Sequence, residues 1–228
     1  MNQPIMDWPG VLEPSLLSDP VVAAGHHLAD AAKEGDWPVV LKLLDTNHAL
    51  SVNQWRPGGP QWFTPLHQAA WHGAPAEVVV KMLGHGALRS LPDAKGRTAH
   101  DVAVEKQQSA ELVALLAPAP SPLTRERALA LDANLEWVID GRIHTDQILE
   151  GYSDHDLRRV LRYPPVAVLH EPANRSVWFP IPGMYGGFRI TLRRGYLETT
   201  SWIRVVGDSG QTHVITHRGT TLVDEGFT

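Results

Sequence analysis

The period of the hydrophobic residues changes once along this chain. Up to about residue 117 they recur three and four apart, which places them along one side of a helix. Val39 to Leu44 (VVLKLL), Glu77 to Leu83 (EVVVKML) and Glu111 to Leu116 (ELVALL) are three such runs. Leu28 to Ala32 and Leu66 to Ala70 carry the smaller side chains of helices that approach a neighbour closely. Residues 1–24 hold four prolines and no clear period, so they read as a lead-in with one short helix at Glu13 to Leu17.

The stretch Ala117-Pro118-Ala119-Pro120-Ser121-Pro122 breaks any helix and marks a boundary, either a linker or a tight connector. Beyond it, Thr124 to Trp137 predicts a helix with Leu129, Leu131, Leu135 and Val138 as its apolar side. Thr145 can cap a short helix that stops at Gly151. Ser153 and Asp156 form a capping-box start for a helix from Asp154 to Arg162, which Pro164-Pro165 terminates. Strand-like runs follow at Val166 to Leu169, Val177 to Ile181, Phe188 to Leu192, Tyr196 to Val206, His213 to Thr216 and Thr220 to Val223. Glycine-containing turns separate them. Helices first and strands after predict an α+β domain with a mainly antiparallel sheet.

Within the helical half, Thr64 to Gly73 (TPLHQAAWHG) places several signals at fixed offsets. Thr64 can cap a helix whose first turn begins at Pro65, where proline's missing N–H costs nothing. The His67 imidazole can reach backbone groups of a neighbouring loop. Ala69 and Ala70 permit close packing, and Gly73 supplies the left-handed residue that ends the helix. Leu28 to Ala32 with Gly35 repeats the pattern, as does Thr98 to Ala103 after Gly96. Thr64 and Thr98 lie 34 positions apart.

On these residues the segment 25–117 resembles the ankyrin-repeat family, whose period is about 33 residues. Two departures stand out. The leading repeat lacks a TPLH, and the loop Gln54 to Phe63 is long, with Trp62 where a turn glycine is usual. For residues 25–117 the resemblance implies an N-terminal all-α ankyrin-repeat solenoid of three repeats. With the α+β domain read from the helix and strand pattern beyond it, where no family is recognised, the expected class is α+β overall. The expected boundaries are 1–24 lead-in, 25–117 repeats, 118–123 linker and 124–228 second domain.

Composition narrows the possible chemistry. No apolar run approaches the roughly 18 residues of a membrane span. The first residues carry Asp7 and Glu13 and no cation before Lys33, which argues against a secretory signal. The chain has no cysteine, so thiolate chemistry and disulfides are excluded, and a cytoplasmic setting fits. A net charge of −5 argues against nucleic acid as the main partner. All lysines lie in the first half, and from Thr124 onward every cation is arginine. Coding bias accounts for this, or else arginine forks are wanted for buried pairs or anions.

The family resemblance places function on exposed groove and hairpin positions: Lys33, Glu34, Trp71, His72, Glu105 and Lys106, with Trp55, Arg56 and Trp62 in the long loop. Tryptophan and arginine are the residue types most enriched at binding hot spots. Partner contact and internal packing both account for the three tryptophans. Gly207-Asp208-Ser209-Gly210 resembles a serine-protease nucleophile loop, but Gln211 replaces the next glycine and a hairpin turn explains the same residues. His213 and His217 lie four apart. They serve as acid and base or metal ligands in one view, and as surface or packing groups in the other. Gly183 to Phe188 sets glycines beside aromatics, either for close approach to a ligand or for a sharp strand start. Arg189, Arg193, Arg204 and His213 together outline a conceivable anion pocket. Arg158, Arg159 and Arg162 suit a solvated helix face.

No cofactor and no metal centre are expected. The function expected from the resemblance is a non-enzymatic protein-protein interaction protein. Bacterial ankyrin proteins of this size include immunity proteins that neutralise a protein toxin, and the acidic balance suits a basic partner. The alternative is an enzyme acting on a phosphate-bearing or nucleotide substrate through His213, His217 and arginines, with the repeats as targeting module.

Overall fold

A computed structural model describes residues 5–145, 147–149, 151–203 and 209–226. The chain divides into two compact units, one of Leu12–Pro120 and one combining Met1–Val11 with Ser121–Thr228.

The first unit contains α1 (Asp19–Glu34), α2 (Trp37–Thr46), α3 (Pro65–His72), α4 (Ala76–Gly84), α5 (Ala99–Glu105) and α6 (Ala110–Leu116). Side-chain caps set most of the starts. Asp36 accepts from the Val39 N–H, and Ser109 accepts from the Leu112 N–H. Thr64 with His67 and Thr98 with Asp101 form capping boxes. Gly35 and Gly73 adopt left-handed φ and end α1 and α3. Leu28, Val40, Leu66, Val79, Met82, Val102 and Leu116 are fully buried in one core, and α3 packs between α1 and α5. Residues 47–64 are not helical, yet they supply Val52 and Trp55 to the interior. Buried Asn53 pins this segment, its amide donating to the Gly86 carbonyl and accepting from the Leu88 N–H, each at 2.9 Å.

The second unit is a six-stranded sheet backed by helices. Its strands are β1 (Met6–Asp7), β2 (Ser176–Ile181), β3 (Gly186–Leu192), β4 (Leu197–Ile203), β5 (Ser209–Thr216) and β6 (Gly219–Gly226), paired in that order. β1 runs parallel to β2 and every other pair is antiparallel. Alternation puts Val177, Phe179, Phe188, Ile190, Leu197 and Ile215 inside. The long helix α7 (Arg125–Thr145) buries Leu131, Leu135, Val138, Ile139 and Ile143 and packs on β5. Asn134 of α7 donates to the Thr216 carbonyl at 2.8 Å, and buried Arg142 donates to the Ser209 hydroxyl at 2.6 Å. The helix α8 (Asp154–Val160) starts at the expected Ser153–Asp156 capping box.

These observations correct the expected fold class. The chain does not form an N-terminal all-α ankyrin-repeat solenoid of three repeats followed by an α+β domain that supplies its whole sheet. Antiparallel pairs predominate in that sheet, as expected, but one pair is parallel. The sheet is mixed, and its first strand comes from the N-terminal segment read as a lead-in. The helices of the first unit are not clearly arranged as repeats. They run from 16 residues in α1 to 7 in α5 and α6, with the irregular 47–64 segment intervening. Helix length here follows where caps and prolines fall, not a common period.

Smaller corrections have similar causes. Val166–Val168 is a 3-10 turn rather than a strand, held by the Asp132 carboxylate accepting from the Val166 N–H at 2.7 Å. Thr145 ends α7 instead of capping a further helix. Arg158 does not sit on a solvated face: it makes a bidentate pair with Asp140 at 2.7 and 2.8 Å and also reaches Glu136. Tyr163 donates to the same Asp140 at 2.6 Å. Arg162 is buried, its backbone carbonyl accepting from the Trp8 indole at 2.6 Å.

Two predictions follow from this packing. Trp8 is 1 % exposed. Trp8→Ala removes a buried indole together with its hydrogen bond to the Arg162 carbonyl, so it should cost about 3–5 kcal/mol of stability in urea unfolding. Burial pushes the Asp132 carboxyl up to about 6, against the Val166 hydrogen bond and with help from Glu136. A folded-state value above the unfolded one means that this group's contribution is full at acid pH and is lost as pH rises through about 6. Asp132→Asn should therefore be more stable than wild type above that pH, by roughly 1–3 kcal/mol. The advantage should vanish near pH ~4 when unfolding midpoints are compared across the range.

Candidate functional site

The first unit carries an open groove of about 600 Å³. Three local features shape it. The caps Thr64 and Thr98 start α3 and α5, and each is preceded by a residue that turns into the groove, Phe63 and Arg97. Trp62 adopts a left-handed φ of 54°, a conformation that costs a non-glycine residue about 1–2 kcal/mol. Its neighbour Gln61 accepts the Ala94 N–H at 3.0 Å, which fastens the long loop to the loop ahead of α5.

The rings of the groove hold one another in place. Trp55 and Trp62 lie 6.3 Å apart between centroids, and Phe63 meets Trp71 edge-on at 6.2 Å. His67 stacks on Phe63 at 5.3 Å, and the Arg97 guanidinium sits 5.7 Å from the same ring. Lys106 Nζ lies 3.3 Å from the Trp71 centroid, a cation–π contact, and Gln108 donates to the Trp71 carbonyl at 3.0 Å. His72 Nε2–H donates to the Lys33 carbonyl at 2.9 Å, and its ring meets Trp37 edge-on.

Arg97 is the electrostatic centre. It donates to Asp93 at 2.8 and 3.0 Å and to Glu105 at 2.5 Å. Burial alone would raise the Asp93 carboxyl, but hydrogen bonds from Arg97 and the Lys95 N–H outweigh it and hold the group below its ordinary value. Arg56 pairs with Asp30 across the mouth of the long loop.

Of the nine expected site residues, the fold gathers seven around this groove: Lys33, Trp55, Arg56, Trp62, Trp71, His72 and Glu105. Trp55 departs from expectation, being only 4 % exposed, so it is wall rather than contact surface. Trp71 is 40 % exposed. Glu34 is exposed at the end of α1 and is not among the residues that line this groove, while Lys106 acts through Trp71. Phe63, Lys95 and Arg97 were missed. Phe63 and Arg97 share one legible signal, the position just before a capping threonine.

No family model matches the chain, and no curated protein matches it. What the groove does has to be argued from its own residues.

The second unit assembles its expected groups less well. His213 lies on β5 opposite Thr199 and Leu222, and burial followed by the charge of Arg142 lowers its pKa. His217 sits in the turn between β5 and β6. A shallow cavity of about 470 Å³ is lined by Arg175, Arg193 and Arg194 with Asn174 and Tyr196, and neither histidine nor Arg189 reaches it. Arg204, Gly207 and Asp208 fall outside the described residues, while Ser209 opens β5 and accepts from Arg142. Gly186 and Gly187 are explained by packing. A Cβ on either would lie about 2 Å from the Trp202 or Phe179 carbonyl oxygen. They admit neighbouring strands, not a ligand. Among the described residues no cluster of three His, Asp or Glu could hold a metal ion, and no helix is long and apolar enough to cross a membrane.

His67→Ala should cost about 1–2 kcal/mol in urea unfolding, because it removes the buried imidazole's bonds to Thr64 and to the Arg97 carbonyl, although the Asp93 N–H still donates to that carbonyl. His67→Gln, which can still reach back to Thr64, should cost less than the alanine variant.

Proposed function

We propose that this chain is a non-enzymatic interaction protein that grips a segment of a partner protein in the groove between Trp62 and Trp71. The observation that supports this is the state of Trp71. An indole left two-fifths exposed keeps apolar surface in water and forgoes part of the stabilisation that burial would give, yet this one is held still by Lys106 above, Phe63 beside it and Gln108 behind. Rigid exposed aromatics are suited to binding, since little side-chain entropy is lost when a partner arrives. The proposal rests on the groove and not on membership of any family. A cytoplasmic setting, with no cysteine to oxidise, belongs to the same proposal.

The test is a double variant, Trp71→Ala with His72→Ala. Both side chains are exposed, so stability should fall only by the loss of the Trp71 cation–π contact and the His72–Lys33 hydrogen bond, about 1–2 kcal/mol, and the chain should stay folded. A partner captured stoichiometrically by the wild-type chain should bind the variant at least ~100-fold more weakly, the usual cost of truncating a hot-spot tryptophan with its neighbour. Equal capture by both proteins, measured by titration of the purified partner, would remove the groove from the interaction.

A further inference from the structure

The floor and the rim of the groove differ in chemistry, and together they select an occupant. The rim carries Lys33, Arg56, Lys95 and Arg97 against a single lining carboxylate, Glu105. Arg56 is paired with Asp30, and Arg97 with Asp93 and Glu105. Lys33 and Lys95 form no ion pair among the described residues, and Lys33 adds only a field at Asp30. The chain as a whole stands at −5, so this local excess of cation runs against the average. Local charge, not the total, meets a docked segment, because salt screens charges beyond about 8–10 Å.

The floor decides between kinds of anion. Binding a nucleic-acid strand by stacking needs bare ring faces. Here much of that surface is already taken: Lys106 lies over one face of Trp71, His67 and Arg97 lie over Phe63, and Trp55 is buried. Ring edges and the gaps between them remain, and these accept aliphatic, prolyl or aromatic side chains. A volume of about 600 Å³ has room for a few such side chains and not for a folded surface.

Resting on the docking role proposed above, we infer that the occupant is a short extended segment of a partner protein, with apolar or aromatic anchors flanked by Asp or Glu. The anchors fill the space between Trp62, Phe63 and Trp71, and the flanking carboxylates meet Lys33 on one side and Lys95 on the other.

The experiment is selection from a random dodecapeptide display library on the immobilised full chain. The enriched peptides are then synthesised and titrated against wild type, Trp71→Ala, and the charge-reversed pair Lys33→Glu with Lys95→Glu. The expected peptides are acidic with a central apolar or aromatic cluster, and they lose binding to Trp71→Ala. The charge-reversed protein should bind them about tenfold more weakly and prefer twins whose Asp and Glu are replaced by Lys. Enriched peptides that are basic or neutral, depend on Trp71 and ignore the charge reversal would overturn the acidic assignment while leaving the docking role intact. If no enriched peptide depends on Trp71, the docking role itself falls, and this inference with it. A single-stranded oligodeoxythymidine is titrated in parallel, and tighter binding of it than of any peptide would overturn the inference in favour of nucleic acid.

Discussion

The buried imidazole of His67 donates from Nε2 to the Arg97 carbonyl at 3.2 Å, and its Nδ1 faces the Thr64 hydroxyl at 2.8 Å. A carbonyl can only accept, so the proton sits on Nε2 and Nδ1 is left as an acceptor. One ring therefore closes the N-terminus of α3 and ties it to the residue before α5. Phe63 stacks on the other side of that ring, and Arg97, held by the same contact, reaches Asp93 and Glu105. The groove is thus a consequence of a capping interaction. Its aromatic and charged walls are placed by groups whose first task is to satisfy backbone polarity.

The second unit follows a comparable logic with different groups. Asp140 gathers Arg158 and Tyr163, Asp132 holds the Val166 turn, and Arg142 reaches Ser209. These polar groups are half-buried or buried, and each secures a neighbouring segment to α7: Arg158 of α8, Tyr163 and the Val166 turn, and the start of β5. Polar side chains committed to backbone and to one another are scaffold. The arginine richness of this half is in part this requirement, since a planar fork can satisfy two carboxylates at once.

Charge acts on different scales in this protein. The overall acidity bears on solubility and long-range encounter. The contact surface is another matter, because Asp30, Asp93 and Glu105 are consumed by arginines and two lysines are left over. A partner argued from net charge alone would be basic. A partner argued from the groove is acidic.

What the residues determined alone was local: helices where apolar positions recur at three and four, caps at Thr64, Thr98 and Ser153, left-handed ends at Gly35 and Gly73, and strands β2 to β6 where β-branched and aromatic residues alternate between turns. Such signals depend on neighbours a few positions away, so they survive without the fold. Of the seven expected residues that line the groove, Lys33, Trp71, His72 and Glu105 were reached through the repeat register that the resemblance supplied, and Trp55, Arg56 and Trp62 as aromatic and basic residues of an unusually long loop. The pairing of Met6–Asp7 with β2, the burial of Trp8 and Trp55, and the irregular stacking of six unequal helices were decided only by tertiary structure. Each depends on a partner more than a hundred residues away, or on which of two apolar surfaces wins a tryptophan. No period along a chain encodes that choice. It is settled by which arrangement leaves the fewest buried polar groups unpaired and the least apolar area in water.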